Sequence, residues 1–209
     1  MRILVIDTAT QMLSLSLFDE AVCIAHHHER VGRGHAERLL PAIASFPGGG
    51  RADQVAVDVG PGSFTGVRIG LAAARALAFA WECEIAGYSA LSVIATAVAR
   101  DRSPAGDYPV AITGGHGELF WQMFSPTGTA LSDLKSTPIA TLANILNDEE
   151  IYGTGAQALV DARGTGTAVD LYPDSSLFPL LSSEAASLPV EPLYGREADA
   201  QPMTIPVPS

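Results

Sequence analysis

The stretch Gly60-Pro61-Gly62-Ser63-Phe64-Thr65-Gly66-Val67-Arg68-Ile69-Gly70 constrains the fold more than any other part of the chain. Four glycines and a proline sit between the β-rich run Gln54–Val59 and an Ala-rich run ending near Trp81. That order predicts a strand, a tight turn and a helix start in quick succession. The glycines allow two readings. Backbone N–H groups at the helix N-terminus could receive an anion. Alternatively, the glycines continue into the helix as a seam that lets another backbone approach closely. Gly66, Gly70, Ala74 and Ala78 recur every four residues and so share one stripe. Each helical glycine costs about 1 kcal/mol relative to Ala, and a contact that only small residues permit would offset that cost. The seam is therefore favoured. Ser63 and Thr65 read as caps for this helix; no base is placed by sequence beside either to make it a nucleophile.

Charge narrows the function classes. The net charge is −11, and Lys135 is the only lysine among 209 residues, which argues against a chain that grips nucleic acid by itself. The apolar fraction of 47% is that of a globular chain with ample core for one large domain or two small ones. The most apolar stretch, Ile69–Trp81, is too short to span a bilayer and carries Arg75. The opening MRILVID runs straight into a strand pattern, which predicts no signal peptide. Cys23 and Cys83 are the only cysteines and lie far apart, as for reduced thiols. The expectation is a cytoplasmic protein with no membrane contact.

Periodicity predicts strands at Arg2–Ile6, Met12–Phe18 and Ala21–His28, then a helix over His35–Phe46 with Pro41 inside it. The strand Gln54–Val59, the glycine-rich helix, a strand at Glu84–Tyr88 and a helix at Ala90–Arg100 capped by Ser89 follow. Asp101–Asp107, with Pro104 and Gly106, is the best boundary. The pattern then restarts: strands at Tyr108–Ile112, Glu118–Ser125 and Ala130–Ser136, a helix at Ile139–Leu146, a strand at Ile151-Tyr152 and a helix at Ala156–Asp161. The order strand-strand-strand-helix-strand-helix occurs twice. The expected units are 1–103, a smaller second lobe 104–190, and a Pro-rich tail 191–209, disordered or draped on the surface.

The signature GPGSFTGVRIGLAAARALA, the opening ILVIDTAT and the run His35-Ala36-Glu37-Arg38-Leu39-Leu40-Pro41 together resemble the TsaB (YeaZ) family. Gly117-Glu118-Leu119-Phe120-Trp121 and Pro192-Leu193-Tyr194-Gly195-Arg196 fit the same resemblance. It implies an α/β, actin-like (ASKHA), duplicated ribonuclease-H-like fold in two lobes with mixed sheets. It also implies a non-catalytic role in making N6-threonylcarbamoyladenosine at position 37 of ANN-decoding tRNAs, with TsaD as principal partner and the ATPase TsaE joining them. On this view the chain forms a homodimer when TsaD is absent, meets tRNA only through the complex, and carries no cofactor of its own. TsaD has a His-xxx-His metal motif after its glycine-rich turn, whereas the corresponding Ser89–Ile94 here has no histidine. Thr113-Gly114-Gly115 also departs from the Asp-Ala-Arg usual in the family. The expected partner and dimer interface lies on the first-lobe helices, about 35–46 and 65–81, through Leu39, Ile43, Gly66, Arg68, Gly70, Leu71, Ala74 and Arg75.

Other residues invite a chemical reading. Asp7 stands where actin-like phosphotransferases place a magnesium-linked carboxylate, yet an Asp bonding its own turn through Thr8 and Thr10 explains it as well. No second carboxylate cluster is evident beside it. His26-His27-His28 suggests a metal site, but strand alternation leaves only His26 and His28 on one face, and a solvated strand end is the favoured reading. His35 reads as a packing or capping residue. Gly153-Thr154-Gly155-Ala156 reads as a strand-to-helix turn before a nucleotide contact. The enzyme alternatives are an actin-like small-molecule kinase using Asp7 and a glycoprotease-like metallopeptidase, for which metal ligands are missing.

Overall fold

The computed structural model describes residues 1–193, and all structural statements below concern these. The glycine signature sits at the junction of a strand and a long helix, in a sheet built from the first 88 residues. Three strands, β1 (Arg2–Asp7), β2 (Met12–Asp19) and β3 (Val22–Arg30), form an antiparallel meander. Helix α1 (His35–Ala44) then crosses to β4 (Gln54–Asp58), which pairs parallel to β1. Helix α2 (Phe64–Trp81) returns the chain to β5 (Glu84–Tyr88), parallel to β4. The sheet order is β3-β2-β1-β4-β5. After α3 (Ala90–Arg102) the plan repeats.

The second meander is β6 (Tyr108–Thr113), β7 (Glu118–Phe124) and β8 (Lys135–Pro138). Helix α4 (Ile139–Ile145), parallel strand β9 (Glu150–Tyr152), helix α5 (Ala156–Arg163) and parallel strand β10 (Thr167–Val169) complete a sheet ordered β8-β7-β6-β9-β10. Strand order, direction and helix placement are thus the same in both halves. The third strand of the second half starts later than its sequence pattern suggests. Ala130 makes only an isolated bridge to Phe124, and regular pairing begins at Lys135.

Residue alternation explains the layers. Leu4 and Ile6 of β1, Leu13, Leu15 and Leu17 of β2, and Val55 and Val57 of β4 point to the face covered by α1 and α2, where Leu39, Ile43, Val67, Leu71 and Ala74 meet them. Val5, Phe18 and Ala56 point to the other face. Pro41 lies inside α1 without ending it, and Ser63 caps α2, its Oγ accepting from the Gly66 N–H at 3.3 Å.

The chain leaves the second sheet at Val169 and comes back to the first. A 3-10 turn, Ser175–Leu180, lies across β1, β2 and β3 on the face opposite α1 and α2, inserting Leu177 and Phe178 beside Val5, Phe18 and Tyr88. Leu188 then bridges Gly87, and the Leu193 N–H donates to Val59 O at 2.8 Å. The stretch 175–193, expected within the second lobe and tail, therefore packs on the first sheet as a strap. The physical reason is apolar area: Leu177 and Phe178 cover a sheet face that α3 alone leaves partly open. The expected tail beyond Leu193, including Tyr194-Gly195-Arg196, lies outside the described residues.

Candidate functional site

Two carboxylates end two adjacent strands. β1 and β4 run parallel with Ile6 opposite Val57, so Asp7 and Asp58 emerge side by side where the apolar runs stop. Both are buried, at 0% and 1% exposure. Asp7 Oδ1 accepts from the Ala9 N–H at 3.2 Å. Asp58 Oδ1 accepts from Gly60 at 2.7 Å and from the α3 residue Ala90 at 3.0 Å. Asp7 Oδ2 and Asp58 Oδ2 receive no N–H or hydroxyl donor, and the two side chains act on each other. Burial, then the charge of Asp58, drives the Asp7 carboxyl well above the usual range. Burial raises Asp58 to about 7, partly offset by the Gly60 N–H, by the Asp7 carboxyl beside it and by the Ala90 N–H. With both carboxyls raised and their second oxygens without any other donor, the pair is suited to share one proton. Tyr88 closes the site from β5, its hydroxyl donating to Ile6 O at 3.1 Å.

Sequence reading placed Asp7 but missed Asp58. The available signal was that both apolar runs, ILVID and VAVD, end in the same residue type. Chemically the pair is a shared-proton staple joining two strand ends, the Gly60 turn and the start of α3. No polar atom of the pair faces solvent, so a metal-bound phosphate would reach Asp7 only after this end of the sheet opened.

The small-residue stripe lies beside this staple and faces inward. A Cβ on Gly66 would fall on the Thr8 carbonyl oxygen, one on Gly62 on the Ala9 carbonyl, and one on Gly70 would meet Thr8 Oγ1 at 2.5 Å. Thr8 Oγ1 donates to Gly66 O at 2.7 Å, and the Ser63 N–H donates to Ala9 O at 2.7 Å. The turn after β1 thus occupies the space that the missing side chains leave, and takes the place of an anion at the helix N-terminus. Leu39, Ile43, Gly66, Gly70, Leu71 and Ala74 are buried in the chain's own core, which corrects the expectation that they line an interface with another chain. The seam exists, but its partner is β1.

Of the expected interface set, Arg68 and Arg75 are exposed. Arg68 stacks over the Phe64 ring, 3.4 Å from its centroid, while Arg75 Nη2 donates to Val190 O at 2.6 Å and holds the strap. The outward face of α2 carries Ala72, Ala76, Phe79 and Ala80, three and four residues apart, with Phe79 87% exposed. Leu40 on α1 is exposed too.

His35 is buried, its Nε2 donating to Met12 O at 3.1 Å, so it is a packing residue that ties α1 to β2. Gly153 and Gly155 press on β6 and β7: added Cβ atoms would fall on the Ala111 oxygen of β6 and, at 2.7 Å, on Leu119 Cδ2 of β7. They serve a strand-to-helix turn. Thr113-Gly114-Gly115 begins a tight turn in which the Gly114 N–H donates to Glu118 O at 2.9 Å. His26 and His28 share one face, as alternation requires, but they do not form a bare strand end. Asp174, brought by the strap, lies 3.0 Å from His26 Nε2.

Two sheets of identical order, each an antiparallel meander extended by two parallel strands, define a duplicated ribonuclease-H-like protein of the actin-like (ASKHA) class. Residues 25–170 match the family described as TsaD: tRNA N6-adenosine threonylcarbamoyltransferase. The TsaB protein of Escherichia coli, described as a tRNA threonylcarbamoyladenosine biosynthesis protein, is 38% identical over 126 residues, 58% of this chain and 54% of that one. A Pseudomonas aeruginosa crystal structure of an uncharacterized protein with similarity to peptidase YeaZ aligns with a TM-score of 0.76 at 26% identity, over 93% of this chain and 99% of that one. YeaZ from Pseudomonas aeruginosa aligns with a TM-score of 0.75 at 24% identity, over 92% and 99%. The chain belongs to the TsaB (YeaZ) family. The matches span about half the length of the curated relatives. Among the described residues no helix is long and apolar enough to cross a membrane.

Proposed function

We propose that this chain takes part in forming N6-threonylcarbamoyladenosine on tRNA as a docking and activating subunit, with chemistry supplied by a TsaD-type partner. The observation that carries this reading is an asymmetry of exposure. The one carboxylate pair placed like a phosphotransferase site is sealed, whereas the outer face of α1 and α2 presents Leu40, Ala72, Ala76 and Phe79 to solvent. A large apolar side chain exposed among alanines suits a helix-packing partner, because small residues let the second helix approach and the aromatic anchors it. The same face would pair two copies of this chain when the partner is missing. A charge of −11 fits a subunit that leaves tRNA contact to others.

The test is co-purification with TsaD and TsaE followed by tRNA modification with each subunit omitted. Modification should require this chain, and Phe79→Asp should abolish co-purification while leaving the melting temperature unchanged. Transfer by the isolated chain, or undiminished TsaD binding by Phe79→Asp, would overturn the proposal.

A further inference from the structure

The geometry points to a divalent transition-metal site at His26, His28 and Asp174, taking a borderline ion such as zinc and clamping the strap to the edge of the first sheet. Ligand atoms of the three residues all lie within 4.8 Å of one another. A tetrahedral ion with bonds of about 2.0–2.2 Å needs its ligand atoms about 3.4 Å apart. His26 Nε2 and Asp174 Oδ1 already lie at 3.0 Å, so a side-chain rotation of about 1 Å by His28 closes the set.

The two imidazoles are aligned by the strand. His26 and His28 alternate on β3 with their rings stacked, 25° between planes and 5.9 Å between centroids. A hydroxyl cluster behind them fixes which nitrogen is offered. Ser14 Oγ donates to Ser175 Oγ at 3.0 Å and accepts from the Ser175 N–H at 2.9 Å. Its 3.0 Å contact with His28 Nδ1 therefore takes that nitrogen as the donor, which leaves the Nε2 lone pair for the metal. A ligating histidine held through its other nitrogen is the usual second-shell arrangement. Two imidazoles and one carboxylate, with the remaining position left to water, suit zinc, cobalt or nickel rather than calcium or magnesium.

Burial lowers His28 against the raising charge of Asp174. Burial opposes the Asp174 charge, but hydrogen bonds from His26 and Ser176 outweigh it and hold the carboxyl below its usual range. The clamp would join residues 26 and 174, far apart in the described chain, at the edge strand β3.

The test uses the full chain free of any affinity histidines. Zinc titration by calorimetry should give one ion per chain, and cobalt should produce the visible absorption of a tetrahedral site that zinc bleaches. Zinc at a hundredfold excess over Kd should raise the melting temperature by about 5–10 °C. His28→Ala should weaken binding at least about tenfold. Asp174→Asn, which keeps the Oδ1 acceptor for Ser176, should do the same in a folded protein. His27→Ala should leave binding intact. Substoichiometric binding, no shift in melting, or full affinity in His28→Ala and Asp174→Asn would overturn the site.

Discussion

The shared-proton staple makes a quantitative prediction for Asp58→Asn. The amide keeps Oδ1 to accept from Gly60 and Ala90, and its Nδ2 becomes a permanent donor toward Asp7, so no proton is needed to join the pair. In the parent chain the folded state holds the Asp58 proton up to about 7, against an ordinary value of 3.8. A carboxyl raised on folding contributes its stability below the unfolded value and loses it as pH rises through the folded one. Between those limits each pH unit weakens folding by about 1.4 kcal/mol. From pH 5 to pH 8 the loss through Asp58 is about 2–3 kcal/mol. Asp7 is raised as well and adds to it. Urea unfolding of parent and variant at pH 5, 6, 7 and 8 should show the parent falling steeply and Asp58→Asn falling less, since the burial that raises Asp7 remains in the variant. The gap should open in favour of the variant by about 2–3 kcal/mol. Differencing the two proteins removes the histidines, which titrate in both. Parallel curves at constant separation would refute the shared proton and make the pair an ordinary buried polar contact.

Other perturbations test the packing. Gly70→Ala should destabilise by about 1–3 kcal/mol through its clash with Thr8 Oγ1, and Thr8→Ala in the same chain should recover part of the loss, read as a coupling in thermal melts. Gly70→Leu should unfold the chain instead of yielding a folded monomer, which light scattering and a melting curve on one sample distinguish. Phe178→Ala, removing a ring packed edge-on to Tyr88 at 5.4 Å, should cost about 3–5 kcal/mol and speed proteolysis of the strap. Ser63→Ala should cost about 1 kcal/mol by removing the α2 cap, visible as a small drop in the urea midpoint.

Much of the architecture was legible because it is written in local periodicity. Alternation in MLSLSLF, the paired helix and strand runs, and their repetition after Asp107 are all properties of neighbouring residues. Facing was not. A stripe of Gly66, Gly70, Ala74 and Ala78 says that some backbone comes close, and spacing alone leaves open whether it belongs to another helix or to the chain's own β1. Only the Thr8 and Ala9 carbonyls decide it. Asp7 and Asp58 are 51 positions apart and become neighbours through parallel register. His26 and Asp174 meet because the strap doubles back, and no composition or motif announces that return. Strand β10 was missed for a related reason: Thr167–Val169 is too short to show alternation.

The strap also bears on the order in which the molecule can be completed. The sheet face carrying Val5, Phe18, Ala56 and Tyr88 is finished by Leu177 and Phe178, about 90 residues after β5 has been made. At about 5–20 residues per second, a ribosome delivers that cover about 5–20 seconds after the sheet it closes. The first half of the nascent chain therefore waits with an apolar face unclosed while the second half is synthesised. Its native state is reached from the C-terminal side, although its strands come first.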